Sequence, residues 1–93
     1  MFVTFDDDDK AYLRWVDDHP HGFVVNTFRN VNPAYLMLHR AGCGTIRGTP
    51  ARGERWTSGD FIKVCADSRQ NLEDWARRIA DGGLIPCKLC HPD

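Results

Sequence analysis

This chain has no apolar run approaching the roughly 18 residues of a membrane-spanning helix, so no membrane partner is expected. Its opening residues, MFVTFDDDDK, place an acidic block where a secretory leader carries basic residues, and no apolar stretch follows. A cytoplasmic location is expected. The chain also lacks the Gly-rich pattern that cradles phosphates and the Gly-x-Ser-x-Gly turn of many hydrolases. It lacks an excess of either charge. With 12 basic and 13 acidic residues the net charge is −1, which argues against tight, non-specific binding to a polyanion. No repeat or linker divides it, and 93 residues fit one domain, 1–93.

What is present is ordinary in bulk: 42% hydrophobic and 27% charged residues, as in a globular domain. A chain this short buries a limited core and gains from a staple. Four cysteines can supply one. In a reducing compartment closely spaced cysteines hold metal more often than they form disulfides.

The pattern predicts an α+β fold, with a small antiparallel sheet of about three strands and two helices. DDDDKAYLRWVDDHP reads as the first helix: Asp6 to Asp9 suit a helix N-terminus, Tyr12, Trp15 and Val16 share a face, and Pro20 ends it. GFVVNTF and AYLML read as an antiparallel pair joined through NVNP, the second running into His39. DFIKVCA reads as a third strand, with Phe61, Lys63 and Cys65 on one side and Ile62, Val64 and Ala66 on the other. DSRQNLEDWARRIADGG reads as the second helix. Asp67 and Gln70 have capping-box spacing, Leu72, Trp75, Ala76 and Ile79 form the buried stripe, Arg77 and Arg78 sit in the last turns, and Gly82-Gly83 is the stop. Between strands, residues 42–59 form a long Gly-rich loop, a length usually associated with function or mobility.

The chemistry concentrates in two short stretches, HRAGC and CKLC. Cys87 and Cys90 can chelate one ion, because two intervening residues let a tight turn aim both sulfurs at one point. A closed zinc site needs two further ligands. His39 and Cys43, four apart where a strand leaves the sheet, are the leading pair. Cys65 offers an all-cysteine alternative, although a lone strand cysteine is more often a small buried hydrophobe; His91 is a weaker candidate. The expected set is His39, Cys43, Cys87 and Cys90 around Zn(II). A thioredoxin-like role for Cys87 and Cys90 is not expected, because that motif opens a helix and this one follows one. Asp17, Asp18, His19 and His21 cluster in DDHPH, which reads as a polar turn.

HRAGC, a helix ending in GG, and then IPCKLCHP resemble the Ada-type metal-binding domain. That family reads Cys-Arg-x-x-Cys, an Ala-rich helix, and Gly-x-x-Pro-Cys-x-x-Cys-x-Pro. Arg40, Cys43, Gly83, Pro86, Cys87, Cys90 and Pro92 match, over about residues 36–93. The resemblance implies a zinc site in a small α/β domain that contacts the DNA backbone. The family's alkyl acceptor is the first cysteine, and here His39 stands in that place. An imidazole can hold zinc but cannot act as that thiolate, so the repair activity is not implied.

Charge is unevenly spread. Residues 1–38 carry six Asp against Lys10, Arg14 and Arg29, a net of −3. Residues 39–63 carry Arg40, Arg47, Arg52, Arg55 and Lys63 against Glu54 and Asp60, a net of +3. With Lys88 between two ligands, Arg40, Arg47, Arg52 and Arg55 are the expected nucleic-acid contacts. Trp56 reads as core, with stacking on a base as the other reading. The expected function is non-enzymatic binding of DNA. The alternatives are a protein-interaction module with a purely structural zinc, using the loop or the acidic first helix, and alkyl acceptance at Cys43.

Overall fold

A computed structural model describes residues 2–46, 56–57 and 59–92. Five strands and two helices make an α+β fold: β1 (Val3–Phe5), α1 (Asp9–Asp18), β2 (Phe23–Phe28), β3 (Leu36–Arg40), β4 (Phe61–Ala66), α2 (Arg69–Trp75) and β5 (Ile85–Pro86). The strands form one sheet in the order β1-β4-β2-β3-β5. The three strands expected from the sequence are its centre, antiparallel throughout. Two short edge strands enlarge it: β1 pairs antiparallel with β4, and β5 pairs parallel with β3. At three and two residues they are too short to show alternation. Among the described residues no helix is long and apolar enough to cross a membrane.

In α1, Asp8 caps the N-terminus by accepting from the Ala11 N–H at 3.1 Å. Tyr12 and Val16 are buried, while Trp15 is half-buried and stacks on His19 with ring centroids 4.2 Å apart. The helix closes at the His19 N–H, which donates to the Trp15 carbonyl at 2.9 Å just before Pro20. Gly22 is required in the following turn, because a Cβ there would meet the Trp15 ring at 2.7 Å.

α2 differs in detail from the sequence reading. Its cap is Ser68, which accepts from the Asn71 N–H at 3.2 Å, and not an Asp67–Gln70 box. From Ala76 to Ala80 the helix widens into a π-turn. The wider turn puts Ala80 in the core and leaves Ile79 61% exposed, so the buried stripe is Leu72, Trp75, Ala76 and Ala80. The left-handed residue that ends it is Asp81, at φ 56°. Gly82 serves close packing instead: a Cβ there would lie 2.6 Å from the Pro33 carbonyl oxygen.

The sheet therefore has two different faces. One packs Val25, Leu36, Leu38, Val64 and Ala66 against α2. The other packs Val24 and Cys65 against Tyr12 and Val16 of α1, and carries His39, Cys43 and Cys87 beyond the helix.

Candidate metal centre

The antiparallel register sets His39, Val24 and Cys65 in one row across β3, β2 and β4. All three point to the α1 face, since directly paired residues share a face. After Arg40 the strand ends in tight turns: the Cys43 N–H donates to the Arg40 carbonyl at 2.9 Å, and the Ile46 N–H to the Cys43 carbonyl at 3.2 Å. The Tyr12 hydroxyl donates to the Ile46 carbonyl and ties this turn to α1. On the other side, the Cys87 N–H donates to the Leu38 carbonyl at 2.8 Å, continuing the β3–β5 ladder. The chain then turns, with the His91 N–H donating to the Cys87 carbonyl at 3.1 Å.

These two turns bring four donor atoms together. One ring nitrogen of His39 and the sulfurs of Cys43, Cys87 and Cys90 all lie within 4.8 Å of one another. Ligand atoms around a tetrahedral zinc-type ion sit about 3.3–3.8 Å apart, so this cluster needs only slight tightening to close on an ion. His39, Cys43 and Cys87 are buried and Cys90 is partly so. The four cysteines are free thiols.

The electrostatics fit a cation. Nδ1 of His39 is buried with no hydrogen-bond partner, a cost that a metal ligand bond removes. Burial, and then the charge of Lys63, push the His39 pKa down to about 4, which keeps the imidazole neutral and able to ligate. Burial, opposed by the Arg40 N–H and aided by the neighbouring Cys43 and Cys87 sulfurs, raises the Cys90 thiol to about 11. At Cys87 burial also acts upward, but the N–H groups of Cys90 and Leu89 and the side chains of Cys90 and Cys43 outweigh it and lower the pKa. One thiolate is thus favoured and a further one opposed, a conflict that a bound dication resolves. The sulfurs already receive weak donors: Leu89 N–H to Cys87 at 3.4 Å and Arg40 N–H to Cys90 at 3.3 Å. Thr45 Oγ1 stands 3.0 Å from the Cys43 sulfur. Such contacts orient metal ligands and tune their charge.

Cys65 is not part of this group. It is fully buried two strands from His39, about 10 Å away at normal strand spacing. Burial pushes its thiol far up, as for an inert core cysteine. His91 also stands outside the group. In DDHPH, His19 Nδ1 lies 2.8 Å from the Trp15 carbonyl, and the turn belongs to no metal-sized cluster among the described residues.

The expected nucleic-acid contacts fall in two classes. Arg47, Arg52 and Arg55 lie outside the described residues. Lys88 is exposed beside the centre. Arg40 is exposed but engaged: its Nε donates to the carbonyls of Cys90 at 3.0 Å and His91 at 3.1 Å, and Nη2 to His91 at 2.7 Å. It latches the C-terminal turn to β3, a role that spacing alone could not reveal. Trp56 is core, 8% exposed and tilted against Tyr12.

Sequence reasoning also missed the charged groups, buried Lys63 and half-buried Asp9, that receive the chain at residues 56–57. Lys63 is 4% exposed, and its Nζ donates to Asn26 Oδ1 at 2.8 Å and to the Trp56 carbonyl at 2.7 Å. It therefore adds nothing to a surface for a polyanion. Asp9 accepts from the N–H groups of Trp56 at 3.0 Å and Thr57 at 2.6 Å, and from the Thr57 hydroxyl at 2.6 Å. Burial would raise Asp9, but these bonds and Lys63 hold it below the usual carboxylate range. Asp6 and Asp7 pair with Arg29. The acidic block thus serves as a clasp on Arg29, a helix cap and an anchor for residues 56–57.

Comparison with protein-family models, curated proteins and solved structures finds no match for this chain.

Proposed function

We propose that His39, Cys43, Cys87 and Cys90 hold one Zn(II) as a structural staple in a non-enzymatic, Ada-like domain that binds nucleic acid. The zinc reading rests on the four converging donors within 4.8 Å. Three thiolates and an imidazole suit zinc and do not suit the oxygen-seeking Mg²⁺ or Ca²⁺. Four protein ligands fill a tetrahedral shell and leave no position for an activated water, so the metal organises the chain and does no hydrolysis. The DNA reading is supported by the net charge of +2 that residues 39–62 carry once the buried Lys63 is set aside, with Arg40 and Lys88 beside the centre. Lys88, Arg47, Arg52 and Arg55 supply phosphate contacts, and Arg40 has guanidinium donors left after latching the tail.

Metal content of the protein as purified tests the staple. One zinc per chain is expected, lost in His39→Ala and kept in Cys65→Ala. Binding of labelled DNA tests the partner: affinity is expected to fall steeply with salt and on substituting Arg47, Arg52 and Arg55 by alanine together. Binding indifferent to both assigns the domain to a protein partner instead.

A further inference from the structure

The α1 face of the sheet is covered by the helix over β1, β4 and part of β2. Over β2, β3 and β5 it opens into a groove of about 480 Å³, within the size range of ligand sites. Met37, Ile46, Pro86 and Leu89 make its apolar surfaces, Asn26, Tyr35 and Thr45 contribute polar groups, the candidate ligands His39 and Cys87 line its border with the metal centre, and the exposed Lys88 adds a cation.

The polar groups have a fixed sense. The Lys63 ammonium is a donor only, so it orients Oδ1 of Asn26 toward itself, at 2.8 Å. Nδ2 must then serve the other side, where its single contact among the described residues is the Tyr35 hydroxyl oxygen at a marginal 3.5 Å. The Tyr35 hydroxyl hydrogen has no acceptor among the described residues. The groove thus offers unspent donors inside, apolar surface around them and a cation at the edge. An aliphatic side chain would bury those donors unpaired. A flat ring bearing carbonyl oxygens, attached to an anion, satisfies all three features.

We propose that this groove takes one unstacked carbonyl-bearing base, thymine or uracil, of a single strand, with Lys88 on an adjoining phosphate. The inference rests on the nucleic-acid reading above and narrows it. Asn26 Nδ2 and the Tyr35 hydroxyl donate to the base carbonyls, while Met37, Ile46 and Leu89 pack on its faces. Adenine has no carbonyl and presents an amino donor where the site also donates, so it is disfavoured.

The test measures fluorescence anisotropy of fluorescein-labelled oligothymidylate and oligoadenylate with the zinc-loaded chain. Oligothymidylate is expected to bind about tenfold tighter, the size of one good pair of base contacts. Tyr35→Phe keeps the ring against Phe28 and Phe61, and is expected to erase the preference while leaving zinc content and the circular dichroism spectrum unchanged. Leu89→Asp alters a side chain 75% exposed, and is expected to weaken both oligomers with the fold intact. Equal affinity for the two oligomers, or a preference that survives Tyr35→Phe, overturns the base site and leaves the nucleic-acid reading standing. Failure of both oligomers to bind also overturns the base site, while the labelled-DNA measurement above decides the nucleic-acid reading separately.

Discussion

The two faces of the sheet solve the same problem differently. Against α2 the sheet is closed by side chains alone: Val25, Leu36, Leu38 and Val64 meet Leu72, Trp75, Ala76 and Ala80. On the α1 side a ten-residue helix covers only part of the sheet, and the rest is held by polar groups. The His39–Cys43–Cys87–Cys90 cluster gathers at one end, where a bound ion would tie it down, and the Asp9–Thr57 and Lys63–Asn26 contacts tie down the other. A small chain without enough apolar surface for a second helical cover gains from directional bonds there. Such bonds depend on ions and protonation, whereas the apolar face depends on shape.

Chelation should break the comparison most sharply. Structural zinc contributes about 10–16 kcal/mol, as much as or more than the roughly 5–15 kcal/mol by which small domains are stable. Excess chelator, or Cys87→Ser, is therefore expected to abolish the cooperative thermal transition followed by circular dichroism. A transition unchanged by metal loss would show that the α2 face suffices alone. Next in size, Leu72→Ala opens a cavity in a fully buried position and is expected to cost about 2–5 kcal/mol. Zinc content should stay at one per chain below the lowered midpoint; loss of zinc in this variant would mean that the faces are not separable.

The smallest effect sharpens the contrast through pH. Burial, partly offset by Cys65 and Asp9, depresses Lys63 from 10.5 to about 8. Between those values the unfolded chain binds the proton more tightly than the folded one, so stability rises with pH across the window. Below about pH 8 the cost of burying the charge is fully present. Lys63→Met is expected to lack this rise when urea midpoints are compared across the window. An identical slope in both proteins would remove Lys63 as its source.

Much of this was legible in the chain. The strand patterns at residues 23–28, 36–40 and 61–66 and the first helix appear where alternation and helical spacing put them. The face assignment of Cys65 against Val64 also holds, because side-chain direction along a strand is a strictly local property. The two chelating pairs were legible for a similar reason: ligand spacing within a turn is set by a few backbone bonds. Ile79 was misplaced because periodicity assumes a regular helix, and the π-turn after Trp75 shifts the register.

The sequence by itself thus determined the α+β class, the central strands and the donor types at each half of the centre, since all of these depend on neighbours a few residues apart. Only the tertiary structure decided which halves meet, that β5 lies parallel to β3 so that Cys87 and Cys90 reach His39 and Cys43, and that Cys65 is left two strands away. It also turned Asp9 and Lys63 inward, toward partners 48 and 37 positions away in the chain. Contacts at that separation are selected by the packing of the whole sheet, and no local pattern encodes them.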